Sequence, residues 1–389
     1  MSSAEEVRPS NTAPSVAWSS LVRRSIEAWG APTHERYAMA KESLQSYTDL
    51  DHFLDEPPVL LFWIFQRREA FLSQKVMTKW SKDRLDDYVF FPASDGFVIR
   101  DECYFLSHFW RTQDDPDPGG EYLRLVQREL KQQHWSYIWI DWKCMPQHPR
   151  NQKEEIYFLR SLRTMPGIIR NCGFMWFYPP FEPRLWILYE IAEYTLTCSN
   201  GLQGHITPDI EEFADHINEM LQDGVRSTLS KYGYRCTYDR DKEFLTSWLE
   251  VLVLLRKLSI DIDDVRKLMD YLTWSPSTEM VMLFTMSGLV KFCPFEGTLI
   301  LNGDGHTFTP VPKWEDGKYS ANSQSESAGQ LGQDLLHRSG YWISRVITAV
   351  KLFILQQRFP SSPAGTIATY LAAGLVLGLA LLLSKSIAS

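Results

Sequence analysis

Between residues 95 and 200 the apolar pattern switches period repeatedly, and this alternation restricts the possible folds more than any other feature of the chain. Phe97-Val-Ile99, Cys103-Tyr-Phe-Leu106, Tyr137-Ile-Trp-Ile140 and Cys172-Gly-Phe-Met-Trp-Phe177 are short, largely apolar runs of strand type. Residues 122–132, 153–165 and 184–194 instead carry apolar side chains at helical spacing. Strands alternating with helices predict an α/β fold, a parallel sheet with helices on its faces. Ligands of such sheets collect at the carboxyl ends of the strands.

The flanks read differently. Residues 1–94 are expected to be mainly helical, with a polar start that lacks the apolar stretch of a secretory leader. Within them, Val59-Leu-Leu-Phe-Trp-Ile-Phe65 is too dense for a surface helix and is expected to pack against the α/β domain of residues 95–200. Residues 201–312 read as helices over 210–229, 241–258 and 262–272, ending in a hairpin around Asn302-Gly303. Residues 313–340 have the Ser/Gly/Gln composition of a flexible linker.

In residues 341–389, Ile343, Val346, Ile347, Val350 and Ile354 share one helical face, which either docks on the protein or lies in a membrane interface. The uncharged stretch 366–383 follows, just long enough for a membrane span. It is either a buried C-terminal helix or a single-pass tail anchor with everything before it facing the cytosol. The expectation is the anchor, in the mitochondrial outer membrane or endoplasmic reticulum. Gly374 and Gly378 form a GxxxG that either pairs two spans or reflects the abundance of small residues in such helices.

Composition narrows the function classes. The net charge of −8 argues against nucleic acid as a partner. The six cysteines are scattered, without CxxC spacing or a Cys/His cluster, so no metal is suggested and the thiols read as reduced.

Four patches fall at the expected strand ends. They are Leu106-Ser-His-Phe-Trp-Arg111, Ile140-Asp-Trp-Lys-Cys-Met-Pro-Gln147, Trp176-Phe-Tyr-Pro-Pro180, and the helix that carries Arg184, Trp186 and Glu190. Trp186 and Glu190 are spaced i, i+4 and so share a helical face. Glu190 is either a solvated carboxylate paired with Arg184 or a carboxylate facing a pocket.

The ordered set L-S-H-x-W, W-I-D-x-x-C-x-x-Q and R-x-W-x-x-x-E resembles the fungal heterokaryon-incompatibility (HET) domain, which is related to the Toll/interleukin-1-receptor (TIR) fold. The matching residues are Leu106, Ser107, Trp110, Trp139, Ile140, Asp141, Cys144, Gln147, Arg184, Trp186 and Glu190. The resemblance covers residues 95–200, about a quarter of the chain. It implies a flavodoxin-like fold and a role in self/non-self recognition or cell death. Carried over from TIR domains that cleave NAD, the glutamate of W-x-x-x-E falls on Glu190. Tyr189 departs from the glutamine common in HET domains, and the PPFEP segment is stiffer than the usual loop.

The residue chemistry fits that expectation. Breaking the nicotinamide–ribose bond develops positive charge on the sugar, which a carboxylate at Glu190 would stabilise. Trp110, Trp176 and Trp186 offer flat rings for a base, Arg111 and Arg184 suit a pyrophosphate, and Ser107 and Asp141 suit ribose hydroxyls. His108 is a candidate acid near the leaving group. Each residue has a plainer role open to it: Asp141 as a helix cap, Arg111 as partner of the acidic loop 114–117, the tryptophans as core, and Cys144 as a packed thiol. The expected function is therefore NAD or nucleotide cleavage without a required cofactor, by a chain that works as a homo-oligomer. The alternatives are a scaffold that assembles partners without catalysis, and a nucleotide sensor that binds without cleaving.

Overall fold

The dense run before residue 95 supplies, from Phe62 onward, a strand of the main sheet. The computed structural model describes residues 15–30, 33–55, 61–112, 114–177, 181–199, 208–274, 280–315 and 318–320. The chain opens with α1 (Val16–Ala28), α2 (His34–Gln45), α3 (Leu50–Asp55), β1 (Phe62–Arg67), α4 (Arg68–Ser73) and β2 (Tyr88–Pro92). It continues through β3 (Cys103–His108), α5 (Glu121–Lys131), β4 (Tyr137–Trp139), α6 (Asp141–Cys144), α7 (Gln152–Asn171), β5 (Gly173–Phe177) and α8 (Leu185–Thr197). Next come α9 (Pro208–Asp223), α10 (Val225–Lys231), α11 (Asp239–Lys257) and α12 (Ile262–Trp274). The last strands are β6 (Val281–Thr285), β7 (Gly288–Cys293), β8 (Thr298–Leu301), β9 (Asp304–Thr307), β10 (Lys313–Glu315) and β11 (Lys318–Ser320).

The main sheet has the order β2-β1-β4-β3-β5. β4, β3 and β5 run parallel, whereas β1 is antiparallel to both β2 and β4. The sheet is therefore mixed, which corrects the expected flavodoxin-like parallel sheet. Two of its five strands come from the region expected to be mainly helical. The reason is visible in β1, whose first five residues are all buried, with β2 on one side and β4 on the other. A strand covered on both faces shows a continuous apolar run, which periodicity cannot separate from a buried helix. Phe97-Val-Ile99 forms no strand. Phe97 is buried in a loop, where its carbonyl accepts a hydrogen bond from the Gly30 amide at 3.0 Å.

Alternation along the parallel strands feeds two apolar layers. Cys103, Phe105, Phe174 and Trp176 join α7 and α8 in the larger core, and Tyr104, Leu106, Ile138 and Met175 pack with α4 and α5 on the other face. α8 is largely apolar and buried on most sides because it lies between the sheet and α11. It is also pinned by a buried ion network. Arg170 on α7 bonds Glu193 on α8, and reaches Asp270 at 2.7 Å and Thr273 at 2.7 Å on α12. Trp248 on α11 donates to the other Glu193 oxygen at 2.7 Å.

A separate antiparallel sheet follows in the order β6-β7-β8-β9. The expected hairpin is β8–β9, closed by Asn302 (φ 54°) and Gly303 (φ 99°), the two positive angles a tight hairpin turn requires. β6 and β7 have no counterpart in the expected helical region. No helix among the described residues is long and apolar enough to cross a membrane. The expected tail anchor, and the organelle placement that depended on it, therefore find no support in the structure. The stretch 366–383, with Gly374 and Gly378, and the amphipathic stretch before it lie outside the described residues.

Candidate active site at the ends of the parallel strands

β3 brings Ser107 and His108 to the carboxyl edge of the sheet and points them to opposite faces. On the α8 side, the buried Ser107 hydroxyl is hydrogen-bonded to Glu190 Oε2. Glu190 keeps some accessible surface, yet it is so closely surrounded that desolvation dominates and pushes its carboxyl up to about 8. The Ser107 hydrogen bond works against this rise, and the nearby Asp141 charge adds to it.

On the other side, His108 Nε2 lies 2.9 Å from Asp141 Oδ1, and the Trp110 indole donates to Asp141 Oδ2 at 3.1 Å. Asp141 opens α6, where its Oδ1 accepts the Trp142 amide at 2.6 Å and its carbonyl accepts from Gln147 Nε2 at 2.8 Å. It is thus a helix-start acceptor and a His/Trp anchor together, with its side chain 34% exposed. His108 is buried, and its Nδ1 has no hydrogen-bond partner. Trp110 packs edge-on against Trp142, with ring centroids 5.0 Å apart.

The remaining candidates are engaged elsewhere. Arg184 pairs with Glu182 at 3.5 Å and sits over the Phe109 ring at 5.3 Å, so it is not the partner of Glu190. Arg111 pairs with Glu121 at 3.0 Å and covers the Tyr122 ring at 4.1 Å. The acidic loop serves the next helix, because Asp117 accepts the Glu121, Tyr122 and Leu123 amides at the start of α5. Trp186 hydrogen-bonds Asp241 on α11 although it shares a helical face with Glu190. Trp176 is buried core beside Ser107. Cys144 is a packed thiol, which burial pushes up to about 12.

Sequence reasoning missed Lys143. It is fully buried on α6, donates to Gln74 Oε1, and is pushed down to about 7 by burial. The local sequence Asp-Trp-Lys-Cys carries no sign of that. A hollow of about 310 Å³ lies elsewhere, bordered by Arg226, Glu250, Lys257 and Phe308. There the Arg226 guanidinium is already neutralised by Glu250 at 2.8 Å.

Chemically, the edge holds one carboxyl that favours its proton at neutral pH, a second carboxyl with three N–H contacts, and an oriented imidazole. Carboxyls in contrasting surroundings are the arrangement from which acid and base roles are assigned. No cluster of His, Cys, Asp and Glu suited to a metal ion occurs among the described residues. Comparison with protein-family models, curated proteins and solved structures returned no match, so none of the three identifies a HET or TIR domain.

Proposed function

We propose that this chain is a HET/TIR-like hydrolase that cleaves the N-glycosidic bond of NAD or a related nucleotide at the carboxyl edge of β3, β4 and β5. One observation carries the reading. Glu190 is the strongly desolvated, partly accessible carboxyl of that edge, next to the Asp141–His108–Trp110 group. A carboxyl with a large upward shift at a ligand-binding edge of an α/β sheet is a functional-site candidate on physical grounds.

The chemistry follows from charge. The nicotinamide ring of NAD is a cation, and a cation beside Glu190 favours its carboxylate form. Substrate binding therefore releases the proton and creates the charge that cleavage needs. As the C–N bond breaks, its electron pair leaves with neutral nicotinamide, and the cationic sugar carbon faces the carboxylate. Water adds to that carbon and gives its proton to a nearby carboxylate. Asp141 holds His108 and the Trp110 ring in place at this edge.

The test is incubation of the concentrated full chain with NAD, with chromatographic analysis of the products. The expected result is nicotinamide and ADP-ribose, lost in Glu190→Gln. NAD left intact by a folded wild-type chain at every concentration would sink the enzyme reading and leave the scaffold.

A further inference from the structure

Lys143 is buried to 0% exposure, yet among the described residues its ammonium meets no carboxylate within ion-pair distance. It donates to Gln74 Oε1 and lies 5.9 Å from the centroid of the Phe71 ring. The other end of the same amide, Gln74 Nε2, is buried with no hydrogen-bond partner among the described residues. The backbone beneath it is fixed, because Gln127 Nε2 donates to the carbonyls of Phe71 at 2.7 Å and of Gln74 at 2.9 Å. An amine and an amide N–H group therefore stand side by side, out of water, and the amide oxygen is the acceptor between them. A buried donor without an acceptor costs free energy until one arrives. Burial also pushes the amine down to about 7, against the opposing influence of Cys144 and Asp87 and with help from the Arg84 charge. At neutral pH a substantial fraction of Lys143 is thus a free amine, the nucleophilic form.

We propose that Lys143 is a carbamylation site, where carbon dioxide adds reversibly to the buried amine and the Gln74 amide clasps the product. The amine lone pair attacks the carbon of CO2. A C–N bond forms, one C–O π pair moves onto oxygen, and a nitrogen-bound proton passes to water, leaving a lysine carbamate anion. The carbamate matches Gln74 at both ends. Its remaining N–H still donates to Gln74 Oε1, and its oxygen on the same side as that N–H accepts from Gln74 Nε2. The two hydrogen bonds close a ring and supply the acceptor that Nε2 lacks. The Arg84 charge, which opposes an ammonium here, favours the carbamate. Carbon dioxide suits the place because it is small, uncharged and apolar, and so enters where a charged or bulky carbonyl compound does not. The modification puts a negative charge on α6, the helix that begins with Asp141. It does not depend on the NAD reading.

The test is carbon-13 NMR of the full chain at neutral pH in buffer equilibrated with carbon-13-labelled CO2 and bicarbonate. Trapping by ethylation with a trialkyloxonium salt and peptide mass spectrometry then locates the carbamate. The expected result is a carbamate signal besides that of the α-amino group, trapped on Lys143 and lost in Lys143→Met. Gln74→Met should weaken CO2 uptake at Lys143 at least about tenfold, the worth of one charge-assisted hydrogen bond. Gln74→Glu keeps a partner for the ammonium but repels the carbamate, and should abolish uptake at an undiminished melting temperature. A folded wild type whose carbamates are trapped only on the α-amino group or other lysines would overturn the proposal. So would uptake at Lys143 that Gln74→Glu leaves unchanged.

Discussion

Replacing Glu190 with glutamine should stabilise the protein at high pH while abolishing its proposed activity. Burial pushes the folded carboxyl up to about 8, from an ordinary value of 4.5. Between those values the folded chain holds a proton that the unfolded chain has released, so stability falls as pH rises through the window. At 1.36 kcal/mol per pH unit the full penalty is about 5 kcal/mol, and partial access to water at this position trims it to about 2–4 kcal/mol. Glutamine keeps the volume and can still hydrogen-bond Ser107, but it never ionises. Urea unfolding of wild type and Glu190→Gln at pH 5 and pH 9 measures the difference. The two should agree within about 1 kcal/mol at pH 5, and the variant should be more stable by about 2–4 kcal/mol at pH 9, with unchanged denaturant dependence. An offset of equal size at both pH values would refute the reasoning, because the burial of Glu190 would then carry no charge penalty.

Asp141→Ala removes the shared acceptor of His108, Trp110 and the Trp142 amide, and should cost about 2–4 kcal/mol by thermal or urea unfolding. Arg170→Met leaves Glu193 buried beside one remaining donor, Trp248, and should cost about 3–5 kcal/mol while loosening the helix that carries Glu190. Arg111→Ala should change stability by no more than about 0.5 kcal/mol and leave NAD binding intact in calorimetry, because its guanidinium is committed to Glu121 and Tyr122.

The elements around the site were legible where local pattern decides structure. The helical spacing of residues 122–132, 153–165 and 184–194 became α5, α7 and α8, and the Asn302-Gly303 pair became a tight hairpin turn. The sheet was misjudged because Phe62–Arg67 is buried on both faces, so its sequence lacks the alternation that marks a strand. Its antiparallel pairing with Tyr88–Pro92 depends on tertiary contacts that no local window contains. At the site, the expected address of Ser107, His108, Trp110, Asp141 and Glu190 at the strand ends matches their placement. Their partners did not follow from spacing. Ser107 and Glu190 meet across 83 residues, whereas Arg184, only a turn and a half from Glu190, turns to Glu182 instead. Trp186 and Glu190 share a helical face by count, but one reaches α11 and the other β3.

The most direct test follows the Glu190 carboxyl itself by carbon-13 NMR as pH is varied, with and without NAD. The account predicts titration near 8 in the free protein and a clear downward shift when the nicotinamide cation binds, both absent from Glu190→Gln. Titration at the ordinary value of 4.5 in the free protein, or a value near 8 that saturating NAD leaves unmoved, would contradict it.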